Sequence, residues 1–237
     1  MPLLILKPAR NRSPLCGLYH RESDGETRGS RNTIKQDLTL VLWSLKILSR
    51  YKERYSFKLY HYVLMTNHVH LILETVAGGG TLADIMKGIN LSYAQYYKAK
   101  YGHIGHFWQD RYKSILVSKD RYLLACGSYV ELNPVRARIS QDPKDYRWSS
   151  YHGYAFAKRD PVLDEQPIYQ ELSPEEKGRR KAYREFVCGM LLSRDGMRGE
   201  MAGRIIYGNS AFLQRTKAVL GIEERVRARG RPKKDEK

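Results

Sequence analysis

The run from Phe57 to Glu74 constrains this chain more than any other stretch. Phe57 to Met65 and His68 to Glu74 read as two strands parted by Thr66-Asn67, the pattern of an antiparallel hairpin. Side chains alternate across a strand, so His68 and His70 share one face while Val69, Leu71 and Leu73 enter a core on the other. Two imidazoles on one rigid strand are half of a metal site. Neutral imidazole suits Mn²⁺, Ni²⁺, Co²⁺ or Zn²⁺ and needs only one or two further donors from elsewhere in the fold. The pair taken alone fits a polar stripe facing solvent equally well, so other residues must decide.

Charge points those residues toward nucleic acid. Lys and Arg number 42 against 25 Asp and Glu, a formal charge of +17, and such a field attracts polyanions and grips phosphates without regard to sequence. The 18 tyrosines far outnumber the five phenylalanines and three tryptophans. Tyrosine offers a stacking face to an unpaired base and a hydroxyl to a phosphate, which favours a single-stranded partner. Basic residues gather at Lys98, Lys100, Arg111, Lys113, Lys119 and Arg121. Cys16, Cys126 and Cys188 are far apart, which argues against a disulfide framework or a thiolate zinc site and fits a reducing cytoplasm. Leu3-Leu-Ile-Leu6 is too short for a signal-peptide core, and no later apolar run approaches a bilayer span, so no membrane partner is expected.

Four segments are expected. Residues 1–33 lack a clear period and read as a divergent loop or disordered segment. A catalytic domain is expected over 34–155, a mainly helical extension over 156–224 and a basic tail over 225–237. Leu38, Leu42, Leu45, Leu48, Tyr51 and Tyr55 predict an amphipathic helix from Ile34 to about Arg54. Gly78-Gly79-Gly80 breaks the chain before a second helix, which Thr81 and Asp84 cap and whose stripe is Leu82, Ile85, Ile89, Tyr93 and Tyr96. A strand ending at Val117 then leads to a third helix from about Ser118, on which Tyr122, Cys126, Tyr129 and Asn133 share a face. Pro134 ends or kinks that helix and is expected to free the Asn133 amide to reach outward.

These pieces fit attack on a phosphodiester, which needs a cation on the phosphoryl oxygen and a nucleophile held in line. His68 and His70 supply imidazoles, Asn133 a neutral oxygen, and Tyr129 the nucleophile. A phenol ionises near pH ~10, so its attack depends on a nearby cation or base. Tyr122 is the rival nucleophile, but it lies farther from Asn133.

Tyr62-Val-Leu-Met-Thr-Asn-His-Val-His-Leu-Ile-Leu73, Gly105-His-Phe-Trp-Gln-Asp-Arg-Tyr-Lys-Ser114, Tyr129-Val-Glu-Leu-Asn-Pro-Val-Arg-Ala137 and Asp145-Tyr-Arg-Trp-Ser-Ser-Tyr151 occur in this order. Together they resemble the single-tyrosine HUH transposases, in particular the REP-associated tyrosine transposases. The resemblance implies an α+β, ferredoxin-like antiparallel sheet with flanking helices, and cleavage and rejoining of single-stranded DNA at hairpin-forming repeats. It implies Mg²⁺ or Mn²⁺ held by His68, His70 and Asn133, Tyr129 as nucleophile, and a monomer or homodimer. Thr66 stands where the family usually has proline, a change expected to be tolerated. The family's first strand reads like Tyr-His-Val-Thr-x-Arg-Gly-Asn, whereas Tyr19-His20 is followed by Arg-Glu-Ser-Asp-Gly, too charged for a central strand. The first strand is therefore expected to be damaged or replaced, with folding or activity impaired.

Gln109, Arg111, Lys113, Lys119 and Arg121 are the expected DNA contacts, since a polar and basic series beside the site has no use in a core. Trp108 and Trp148 read as core anchors, and His103 and His106 as surface residues. Gly230-Arg231-Pro232 resembles an arginine hook for A·T-rich minor grooves, although basic tails are commonly only solvated. Two other readings stand beside the transposase. One is a non-catalytic DNA-binding relative, and the other is a metal-dependent phosphodiesterase using water, which needs a carboxylate such as Glu74 beside the imidazoles.

Overall fold

The computed structural model describes residues 3–7, 38–108, 111–192 and 204–221. In chain order these give β1 (Leu3–Lys7), α1 (Leu38–Tyr55), β2 (Phe57–Leu64), β3 (Val69–Thr75), α2 (Leu82–Tyr101), β4 (Lys113–Val117) and α3 (Arg121–Glu131). The single turn α4 (Asn133–Arg136) follows, then α5 (Tyr151–Phe156), α6 (Pro167–Glu171), α7 (Glu176–Leu192), β5 (Ile206–Tyr207) and α8 (Ser210–Leu220). The described strands form an α+β sheet in the order β2-β3-β1-β4-β5, antiparallel except for the short β4–β5 pair.

The first strand departs from the sequence expectation. Leu3–Lys7 occupies the middle of the sheet, with Leu4 opposite Leu73 on one side and Leu116 on the other. The apolar run that is too short for a targeting signal is long enough for a central strand, because a strand needs only about five residues. The charged segment at Tyr19-His20 lies outside the described residues.

Alternation along the hairpin sorts the side chains into two layers. Leu59, Tyr62, Leu64, Leu71 and Leu73 face α1 and α2, and Tyr60, Val63, Met65 and Ile72 face α3. The pairing shifts between Leu59 and His61, an extra residue that puts Tyr60 and His61 on the same face. The outer edge of β2 is covered rather than open. Leu64 N–H donates to the Trp148 carbonyl, Ser150 N–H to the Tyr62 carbonyl and Asp164 N–H to the Leu59 carbonyl, so the segment after α4 shields an edge that would otherwise template aggregation.

α1 is helical as expected but turned. It buries Leu40, Val41, Ile47, Leu48 and Tyr51, while Leu38 and Leu42 point to solvent. α2 follows its expected stripe closely. Thr81 and Asp84 form the reciprocal cap, Ile85, Ile89 and Tyr93 are buried, and Tyr97 takes the buried place expected of Tyr96, which stacks instead on Trp43. Gly88 lets α1 approach, since a Cβ there would lie 2.2 Å from the Tyr51 ring. Trp108 anchors the same layer, donating Nε1–H to the Asn90 carbonyl.

At the far end of β3 the Glu74 carboxylate accepts from the Tyr60 hydroxyl at 2.6 Å and pairs with Lys119. Burial pushes the Glu74 carboxyl up, and the bonds from Lys119 and Tyr60 outweigh it, leaving the group below the usual carboxylate range.

Two outcomes follow from this architecture. Deleting residues 1–7 leaves β3 and β4 without their shared neighbour, and the truncated chain is expected to lose its cooperative thermal transition by circular dichroism. Lys119→Met is expected to cost about 0.5 kcal/mol near neutral pH, a small value because 38% of the lysine side chain is exposed. Because the folded carboxyl titrates lower than the unfolded one, its contribution is full above the ordinary carboxylate range and is lost as pH falls through the folded value. Urea unfolding in steps from pH 7 to pH 2 should therefore show the two proteins converging in acid.

Candidate active site

Pleating, one helix packing and one proline build the site. His70 continues the face of Ile72 toward α3, and the His68 ring lies 4.9 Å from the His70 ring at 83°. Two imidazoles bound about 2.1 Å from one ion would have ring centres about 5 Å apart, so the pair has the spacing of two ligands on one cation. His68 Nδ1 lies 2.6 Å from the Asn67 side-chain oxygen, a contact that suits the tautomer with its lone pair on Nε2, one of the two that can ligate a metal. Asn67 escaped the sequence reading. Its signal was the polar residue directly before His-x-His at the hairpin corner.

α3 brings the phenol. Asp120 caps the helix by accepting from the Tyr122 N–H, and the helix runs back along the sheet toward the His70 end. Tyr129 is buried, and its ring meets the His70 ring edge-on at 6.4 Å. Tyr122, two turns earlier, packs edge-on against Tyr207 at 5.0 Å and carries Arg121 over its ring. That places it about 10 Å along the helix from Tyr129.

Asn133 behaves differently from the expectation that its amide swings outward. Pro134 has no N–H to give to the Val130 carbonyl, and Asn133 Nδ2 takes that role, donating to Val130 at 3.1 Å and to the Tyr129 carbonyl at 2.8 Å. The planar amide then turns Oδ1 to its opposite corner. The asparagine thus closes the end of α3 and keeps an oxygen donor at the helix terminus.

Arg136, unassigned from sequence, lies two turns after Tyr129 on the same side. Its guanidinium sits 4.9 Å from the centre of the Tyr129 ring and donates to the Tyr129 carbonyl at 3.2 Å. Partial desolvation lowers the guanidinium from its ordinary value and the neighbouring phenol acts in the opposite sense, as expected for a cation beside a group that can become an anion.

The expected DNA contacts separate into two groups. Lys113 is exposed at the His70 end of the sheet and alternates with Ile115 and Val117, so it shares the α3 face, about 10 Å across two strand spacings from β3. Arg111 is exposed just before it. Lys119 and Arg121 lie at the opposite end, Lys119 bound to Glu74, and Arg121 is about 12 Å from Tyr129 along the helix. Gln109 and Arg231 lie outside the described residues. Glu74 is about 13 Å along β3 from His70 and engaged with Tyr60, so it is not the carboxylate that a water-activating hydrolase would need beside the imidazoles. Among the described residues no three His, Cys, Asp or Glu converge as a metal cluster. Among the same residues no helix is long and apolar enough to cross a membrane.

Residues 28–133 match the family model described as "Transposase IS200 like". No curated protein matches the chain. Among solved structures it is similar to a REP-associated tyrosine transposase bound to a REP hairpin, with 14% identity, 70% of this chain and 87% of that chain covered, and a TM-score of 0.48. The matched stretch carries His68, His70, Tyr129 and Asn133, and over it the chain is similar to the IS200-like transposases.

Proposed function

We propose that this protein cleaves and rejoins single-stranded DNA at hairpin-forming repeats through a 5′-phosphotyrosine at Tyr129. The observation that carries the reading is the Tyr129 ring set against His70, with His68 beside it. The element order β-α-β-β-α-β with strands in the order β2-β3-β1-β4 supports a ferredoxin-like domain. His68, His70 and the Asn133 oxygen are suited to Mg²⁺ or Mn²⁺, whose remaining positions fall to water and phosphate oxygens. When bound, such a cation polarises the phosphoryl oxygen and spreads the charge of the transition state.

The chain's own residues do the rest. Tyr129 Oη attacks phosphorus, the bond from phosphorus to the 3′ oxygen breaks, and that oxygen takes up a proton as a 3′-hydroxyl. The phosphoryl group stays on the 5′ side, now joined to the phenol. Attack by another 3′-hydroxyl reverses the step, returns the proton to Tyr129 and transfers the strand without ATP. Arg136 holds positive charge over the ring while the phenol loses its proton. Lys113 and Arg111, exposed at the His70 end of the sheet, suit phosphates flanking the scissile one.

Labelled hairpin DNA incubated with the protein and Mn²⁺ should yield a species that stays protein-bound on a denaturing gel, and Tyr129→Phe should abolish it while leaving hairpin affinity within about twofold. Cleavage without an adduct would favour a water nucleophile, and binding without cleavage a non-catalytic relative. Asn67→Ala, which frees the His68 ring to turn, should weaken Mn²⁺ binding by about 10- to 100-fold in titration calorimetry.

A further inference from the structure

On the side of α3 away from Tyr129 lies a buried polar cluster that the proposed chemistry does not use. Glu131, two residues after the nucleophile, is fully buried, as is His61 on β2. One Glu131 carboxyl oxygen accepts from Ser150 Oγ at 2.6 Å and lies 2.9 Å from His61 Nδ1. The other accepts from the Tyr183 hydroxyl of α7 at 2.6 Å. His61 stacks on Tyr154 at 4.6 Å, and α3 can come so close only because residue 127 is glycine, where a Cβ would stand 2.4 Å from His61 Nε2. One side chain of α3 thus gathers a strand, a loop and a helix 52 residues downstream.

An apolar seam would allow α3 to rotate at modest cost, because dispersion contacts have little directionality. Hydrogen bonds are directional, and buried donors left without acceptors are costly. A rotation of 20° at a side-chain radius of about 5–6 Å moves a terminal atom by about 2 Å. Misplacement of about 1 Å in a reacting group costs about a hundredfold in rate. From this geometry we infer that Tyr183, with Glu131 and His61, is a positioning residue: α7 holds α3 at the rotation that aims Tyr129 at His70. The C-terminal helices are then part of the catalytic unit rather than an appendage. Their shared cluster agrees, since Leu124 and Leu132 pack with Tyr151, Tyr154, Tyr169, Tyr183 and Val187.

The inference rests on the proposed strand-cleavage reading, and its test keeps the two apart. Tyr183→Phe removes the hydroxyl and keeps the ring in the core. Tyr169→Phe is the matched control, because that hydroxyl sits in the same cluster but donates to the Tyr154 carbonyl at 2.7 Å instead of to Glu131. With labelled hairpin DNA and Mn²⁺, Tyr183→Phe should slow single-turnover adduct formation at least tenfold with the hairpin dissociation constant unchanged within twofold. Tyr169→Phe should stay within twofold of the parent in both. Equal rates for Tyr183→Phe and the parent, or an equal loss in the two variants, would overturn the positioning role. Absence of any adduct from the parent protein would overturn the cleavage reading instead. As a readout independent of turnover, amide exchange at Tyr129 to Leu132 should quicken in Tyr183→Phe and not in Tyr169→Phe, and no change there would also count against the inference.

Discussion

The packing of α3 on the sheet is the contact on which the site depends. The start of β3 sets the His70 ring 4.9 Å from the His68 ring, but it brings no nucleophile. Only when the helix lies across the sheet does a phenol arrive beside the imidazoles, with the Tyr129 and His70 rings 6.4 Å apart. The seam is apolar through Leu123, Cys126 and Val130 against Ile72, Ile115 and Val117, which supplies the attraction. Glu131 and its three donors supply the angle. Apolar burial thus sets the distance between helix and sheet, and hydrogen bonds set the rotation.

The helix terminus shows how one local rule can serve two ends. A proline after Asn133 removes the N–H that would have continued the ladder, and the asparagine side chain fills that gap. Its amide nitrogen closes the helix, which leaves the oxygen as the donor at the helix terminus. A substitution there would therefore alter the end of α3 together with any ligand set, which makes Asn133 a harder residue to interpret by mutation than either histidine.

Much of this was legible in the sequence where the deciding interactions are local. The hairpin declared itself by alternation, α2 by its capping box and stripe, and the nearness of His68 and His70 by their spacing. Contacts between distant segments were harder to read. Leu3–Lys7 is the central strand because two partners, Leu71 to Glu74 and Lys113 to Val117, pair with it, and five residues carry no periodicity that announces this. The α1 stripe was read with Leu38 and Leu42 inward because leucines outweigh Val41 and Ser44 in any apolar count, whereas the face in contact with α2 is Leu40, Ile47, Leu48 and Tyr51. Lys119 looked like a phosphate contact because charge alone does not reveal that Glu74 lies across the sheet end from it. Glu131 was in plain view inside a quoted motif, but its partners His61, Ser150 and Tyr183 come from three separate segments.

The most direct test of the central claim is a crystal structure of the protein with Mn²⁺ and a hairpin oligonucleotide, collected to reveal the manganese by its anomalous scattering. One peak is expected, coordinated by the Nε2 atoms of His68 and His70, with a phosphate oxygen on the same ion and the Tyr129 hydroxyl facing that phosphorus. Manganese bound elsewhere, or a Tyr129 hydroxyl turned from the phosphate and held there by α3, would contradict that claim.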